Sequence, residues 1–125
     1  MNGVLVDTSV WVDHFRRRND ALIDLLGLDL ATVPPLIVGE IACGTTPGRL
    51  QTLSDLGGLN QARQASIREV MDLIERERLF GRRCGLVDLL LASALVAPGV
   101  ELWTLDKRLS LLSERFGAMH RPALH

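Results

Sequence analysis

Val4-Leu5-Val6-Asp7-Thr8-Ser9 is a short apolar run that stops on an acid and two hydroxyl residues. Branched apolar residues without polar alternation read as a strand buried on both faces, the kind found in parallel sheets. Asp7 then falls at the strand's carboxyl end, and Thr8 or Ser9 can cap a helix running through Trp11 to Phe15. In open parallel sheets, ligands bind beyond the carboxyl ends of the strands. An acid at that place is therefore positioned for chemistry.

The same pattern recurs further along the chain. Val100 to Thr104 reads as a strand with Asp106 just past its end, followed by a helix from Lys107 to Phe116. Ala31-Thr32-Val33 is a weaker strand, and Ala118-Met119-His120 a short last one. Between them the periodicity is helical. Asn19 or Asp20 opens a helix with Leu22, Ile23, Leu25 and Leu26 on its apolar face and Gly27 at its end. Pro34-Pro35 starts another, since a first-turn proline loses no hydrogen bond; it carries Glu40 about a turn in and stops near Gly44.

After the loop Thr45-Thr46-Pro47-Gly48 comes a short helix to Leu56, broken by Gly57-Gly58. Asn60 then caps a long helix to about Phe80, with Ile67, Val70, Met71 and Ile74 as its apolar stripe and Asp72 facing Arg76 on its wet side. The segment from Leu86 to Ala97 is apolar apart from Asp88 and Ser93 and reads as a helix buried nearly all round. Strands alternating with helices predict an α/β fold, a parallel sheet with helices on both faces. A chain of 125 residues fits one domain, 1–125, with one core.

Composition narrows the classes. Hydrophobic residues make up 47% of the chain with an ordinary charged fraction, which excludes disorder. No apolar run approaches the ~18 residues of a membrane span, and no basic stretch precedes an apolar segment at the N-terminus, so a cytoplasmic protein with no membrane contact is expected. The net charge of −1 argues against a large basic surface for nucleic acid. Of the 14 basic residues only Lys107 is lysine, and arginine matches phosphate or carboxylate oxygens with a planar fork. Arg16-Arg17-Arg18 and Arg82-Arg83 read either as solvated surface or as phosphate guidance. Cys43 and Cys84 follow no metal-ligand spacing, and His14, His120 and His125 are scattered, so zinc is not expected.

Four acids carry the functional argument: Asp7, Glu40, Asp88 and Asp106 each lie against an apolar run. A buried unpaired carboxylate costs several kcal/mol, so such acids sit at element ends, pair, or bind a cation. Taken singly, Asp7 and Asp106 could be turn or cap residues, Asp88 could stabilise its helix N-terminus, and Glu40 could reach outward or pair with an arginine. If the fold gathers all four, they form a hard-oxygen site for Mg²⁺ or Mn²⁺, which would hold them ionised and activate water against a phosphodiester. Asp7 and Asp88 are the minimal ligand pair, with Glu40 and Asp106 as direct or water-mediated ligands. Thr8, Ser9 and Thr104 stand beside these acids and either orient the carboxylates or cap helices.

Together, Val4-Leu5-Val6-Asp7-Thr8-Ser9-Val10-Trp11-Val12-Asp13, Gly39-Glu40, Gly85-Leu86-Val87-Asp88-Leu89-Leu90-Leu91-Ala92 and Leu102-Trp103-Thr104-Leu105-Asp106-Lys107-Arg108-Leu109 resemble a PIN-domain ribonuclease. More narrowly, the chain resembles the VapC-type toxins of prokaryotic toxin–antitoxin pairs. The resemblance implies a three-layer α/β/α domain and Mg²⁺- or Mn²⁺-dependent endoribonuclease activity, with Asp7, Glu40, Asp88 and Asp106 at the family's acidic positions. It also implies a cognate antitoxin, which often sends an arginine into the acidic pocket, and a toxin homodimer. The region of Trp11, Phe15, Leu22 and Leu26 would form the antitoxin groove as well as core. Many members carry a further acid two residues after the Asp106 position. Arg108 stands there in this chain, leaving four acids rather than five, which counts against a fully occupied two-metal site.

Two rivals follow from the same residues. A phosphoesterase of the haloacid-dehalogenase kind needs Asp-x-Asp after the first strand, and Ser9 replaces the second acid. A receiver domain needs an adjacent acid pair, which is missing. A catalytically inactive PIN module that binds RNA or protein is opposed by the four retained acids.

Overall fold

The computed structural model describes residues 3–61, 64–81, 85 and 99–122. β1 (Gly3–Val6) lies at the centre of a parallel sheet, with β2 (Ala31–Thr32) on one side and β3 (Val100–Trp103) on the other. Six helices accompany it among the described residues: α1 (Thr8–Arg16), α2 (Asp20–Gly27), α3 (Pro35–Ala42), α4 (Arg49–Gly57), α5 (Ile67–Glu77) and α6 (Lys107–Arg115). This is the expected α/β architecture, an open parallel sheet in a three-layer α/β/α, PIN-like arrangement.

The central strand is the most apolar because it is covered on both faces. All four of its residues are buried, and Leu5 and Val6 are fully so. Around them pack Val10 and Trp11 of α1, Leu22 of α2, Ile37 of α3, Leu102 of β3 and Leu109 of α6. The Trp11 indole Nε1 donates to the Val6 carbonyl at 3.2 Å, so α1 is pinned back onto the strand it follows. Close approach of β1 and β2 requires glycine at position 3, where an added Cβ would stand 2.8 Å from Thr32 Cγ2.

The helix boundaries follow local chemistry, with some shifts from expectation. Asn19 Oδ1 accepts from Leu22 N at 3.0 Å and starts α2. Pro34 and Pro35 start α3 as expected, but the helix stops at Ala42, short of Gly44. Asn60 caps no helix. Its side-chain amide instead donates to the Asp29 carbonyl and carboxylate, and its own carbonyl accepts from Val33 N, beside a single bridge to Thr32. α5 begins later, at Ile67, behind a reciprocal cap between Ser66 and Glu69. Its inward residues are Val70 and Leu73; Ile67 and Met71, expected on the stripe, are exposed. Tertiary packing turns Val70 and Leu73 inward, with Ile74 half-buried against the core, and leaves Met71 outside.

β3 ends at Trp103, freeing Thr104 to turn. The last expected strand reduces to one parallel bridge, Leu102 to Met119, with Leu102 N donating to the Ala118 carbonyl and His120 N to the Leu102 carbonyl. The expected helix over 86–97, with Asp88, and the residues Arg82, Arg83 and Cys84 lie outside the described residues. No helix among the described residues is long and apolar enough to cross a membrane.

Candidate active site

Strand register builds the site. Val6 pairs with Trp103, and Asp7 N donates to the Trp103 carbonyl at 3.0 Å. The next residues, Asp7 and Thr104, therefore leave the sheet side by side although 97 positions apart. Thr104 Oγ1 donates to Asp7 Oδ2 at 2.8 Å, and Ser9 Oγ donates to the same oxygen at 2.7 Å. Both hydroxyls also accept: Ser9 Oγ from Leu105 N at 2.9 Å, Thr104 Oγ1 from Asp106 N at 3.0 Å. Each hydroxyl proton is spent on Asp7, so the 3.3 Å approach between Ser9 Oγ and Thr104 Oγ1 is a packing contact.

Asp7 is buried, with 7% of its surface accessible. Its burial is tolerable because charge-assisted hydrogen bonds replace water on Oδ2. Asp7, not Thr8 or Ser9, is the N-cap of α1, and only loosely, through Ser9 N at 3.4 Å. Thr8 faces the other way and donates to Glu40 Oε1 at 2.7 Å. Glu40 itself is exposed, because α3 turns Ile37 and Ile41 inward and Gly39 and Glu40 outward. Asp106 caps α6, its Oδ1 accepting from Leu109 N at 3.1 Å.

A continuous chain of contacts thus links the acids: Glu40 to Thr8, next to Asp7, then through Ser9 and Thr104 to the backbone of Asp106. On each acid the hydrogen bonds fall on one oxygen, Oδ2 of Asp7, Oε1 of Glu40 and Oδ1 of Asp106. The other oxygen of each accepts no hydrogen bond among the described residues. Hard oxygens held at one end and open at the other suit Mg²⁺ or Mn²⁺. Among the described residues, however, no three His, Cys, Asp or Glu side chains come together as a ready metal-binding group. Asp88, the other half of the expected minimal pair, is outside them.

A cleft of about 380 Å³ opens beside Thr8 and Glu40, with Phe15, Arg16 and Thr46 among its walls. The first arginine cluster therefore divides. Arg16 lines this cleft, while Arg17 and Arg18 pair with Asp13 and Asp20 at the surface, where such pairs contribute little. Trp11 and Leu22 are core; Phe15 and Leu26 are half-buried and border a smaller hollow with Leu59. Sequence reading missed a second cleft, lined by Thr104 together with His120 and Arg121. No local motif marks it, since it exists only because Met119 is bridged to β3.

No protein-family model matches the chain. It is similar to Ribonuclease VapC32 of Mycobacterium tuberculosis, in strains CDC 1551 / Oshkosh and ATCC 25618 / H37Rv. With each it is 44% identical over 107 residues, which cover 85% of this chain and 86% of the relative. By that identity and coverage, the chain belongs to the VapC ribonuclease family.

Proposed function

We propose that this protein is a metal-dependent endoribonuclease, the toxin of a type II toxin–antitoxin pair, cleaving RNA phosphodiester bonds at Asp7, Glu40, Asp88 and Asp106. The observation that carries the reading is the 44% identity with Ribonuclease VapC32 over most of both chains. The hydroxyl lattice around Asp7 supports it independently. A buried acid with one oxygen fixed by two hydroxyls is an arrangement for holding a ligand oxygen in place.

Each residue has a distinct task. Ser9 and Thr104 fix the Asp7 carboxylate in one rotation through Oδ2, which leaves Oδ1 without a hydrogen bond among the described residues. Thr8 steadies Glu40 at the cleft's edge, where its exposed carboxylate can orient a water or take its proton. Asp106 stiffens the start of α6 and offers its second oxygen to the site. A divalent cation bound by Asp7 and Asp88, with Glu40 and Asp106 as direct or water-mediated ligands, would supply charge neutralisation and polarise both phosphate and water. RNA as substrate, a cognate antitoxin as inhibitor, a cytoplasmic site of action and a toxin homodimer complete the reading.

Asp7→Asn is the test. It keeps an acceptor for Ser9 and Thr104 but removes the charge. Mn²⁺ binding by calorimetry and cleavage of RNA should fall together, cleavage by on the order of 10³-fold, the scale of losing one preorganised electrostatic group. Wild-type cleavage by Asp7→Asn would refute the hydrolase reading. Wild-type protein that binds RNA but never cuts it with Mg²⁺ or Mn²⁺ would favour an inactive binding module.

A further inference from the structure

We infer that the cleft between the end of β3 and the His120-Arg121 segment is a substrate subsite, holding one unstacked nucleotide of single-stranded RNA next to the scissile phosphate. The inference rests on the ribonuclease reading above and adds where the RNA strand lies.

The cleft measures about 400 Å³ and is walled by Trp103, Thr104, Leu105, Met119, His120 and Arg121. That is within the ~300–1,000 Å³ of sites that take small organic groups. It shares a wall with the acidic site. Thr104 and Leu105 line the cleft, while the Thr104 hydroxyl donates to Asp7 and Leu105 N donates to Ser9. A chain whose phosphate sits at Asp7 thus has its neighbouring nucleotide at this opening.

The walls match the two parts of a nucleotide. Leu105 is 57% exposed, a large apolar side chain among the residues that line the cleft. The His120 ring packs against Trp103, with ring centroids 5.6 Å apart, and its Nδ1 is held 3.0 Å from Glu101 Oε1. Trp103 is buried and backs the ring, so the partly exposed His120 imidazole and the aliphatic Leu105 are the surfaces that take a base, by stacking that is tolerant of sequence and needs an unpaired strand. Arg121 is exposed, and no hydrogen bond or ion pair engages it among the described residues. It supplies the phosphate contact. A net charge of −1 argues against a broad basic surface, and one arginine beside a stacking cleft suits a short single-stranded segment better than duplex.

The probe is a fluorescein-labelled, single-stranded, mixed-sequence RNA. Its affinity is read by anisotropy in EDTA at several salt concentrations, and cleavage of the same RNA is followed with Mn²⁺. Arg121→Ala should raise Kd and KM about tenfold, the scale of a charged hydrogen bond, and leave kcat at saturation unchanged. Its salt slope should fall by ~0.7, the value for one phosphate contact on a single strand. Arg121→Lys should restore the slope. Leu105→Ala should weaken binding several-fold with the slope unchanged.

Wild-type affinity and slope in Arg121→Ala would overturn the inference while leaving the ribonuclease reading intact. So would loss of antitoxin binding with unaltered RNA kinetics, which would make the cleft a protein-docking surface. Wild-type protein that neither binds nor cuts RNA would overturn both.

Discussion

Two helix starts in this molecule use similar chemistry to different ends. At the start of α5, Ser66 and Glu69 satisfy each other's backbone: Ser66 Oγ accepts from Glu69 N, and Glu69 Oε1 accepts from Ser66 N, both at 3.2 Å. That box is closed and exposed, and it stabilises a helix end. At the start of α1 the acid is the cap and the serine follows it. Asp7 barely caps, and Ser9 and Thr104 hold its Oδ2 at 2.7 and 2.8 Å from two parts of the chain. The hydroxyls are thus used to orient a carboxylate, not to satisfy a helix. The first arrangement should matter for stability and the second for activity, and substitutions can separate the two.

The largest separation is expected at the hydroxyls. Thr104→Val keeps the shape of the side chain and removes its donor, and Ser9→Ala removes the other. Each should lower Mn²⁺ affinity and RNA cleavage by roughly 10- to 100-fold, the usual cost of losing a group that orients a metal ligand. Melting temperature should fall by less than about 5 °C in either variant. Because both protons land on one oxygen, the double variant should cost less than the sum of the singles. Cleavage that survives both substitutions at wild-type rate would place the lattice with α5 as mere architecture.

Glu40 should respond less. It is exposed and has one hydrogen bond, from Thr8, so it can rearrange around a lost charge in a way that buried Asp7 cannot. Glu40→Gln retains that bond and should slow cleavage by about tenfold if the carboxylate orients water or takes its proton. Thr8→Val should cost only a few-fold, the scale of one exposed hydrogen bond of about 0.5–1 kcal/mol. Rate against pH in single-turnover assays distinguishes a lost base from lost binding. An unchanged profile in Glu40→Gln would remove Glu40 from proton transfer.

The sequence made the strand ends legible because their signal is local: an unbroken apolar run followed by an acid at Val6-Asp7, and Val100 to Trp103 with Asp106 beyond. It also singled out Ser9 and Thr104 beside those acids. What it could not give was register. Only the pairing of Val6 with Trp103 shows that the Thr104 hydroxyl proton goes to the Asp7 carboxylate, while its neighbour Asp106 meets that hydroxyl through its backbone N–H. Thr8 reaches Glu40 through the packing of α1 on α3, which has no footprint in local pattern. Asn60 misled for a related reason. It has a capping side chain, but the edge of the sheet uses it first, through Asp29 and Val33. Met71 misled because two apolar rows compete on α5, and tertiary packing chose the one through Leu73.

The smallest effect on activity should come from the closed box. Ser66→Ala removes one reciprocal hydrogen bond and leaves the Ser66 N to Glu69 Oε1 contact without its return partner. Losing a serine cap costs ~1 kcal/mol, which for a chain of this length lowers the melting temperature by roughly 4 °C. Cleavage at a temperature well below the transition should be unaltered, since α5 contributes none of the proposed acids. Ser66→Ala and Ser9→Ala each delete one serine hydroxyl at a helix start, so loss of bulk or helix propensity is matched between them. If both lost the same stability and the same activity, the oriented carboxylate would have no special standing. If Ser66→Ala moves only the melting temperature and Ser9→Ala mainly the rate, the different partners of the two hydroxyls account for the result.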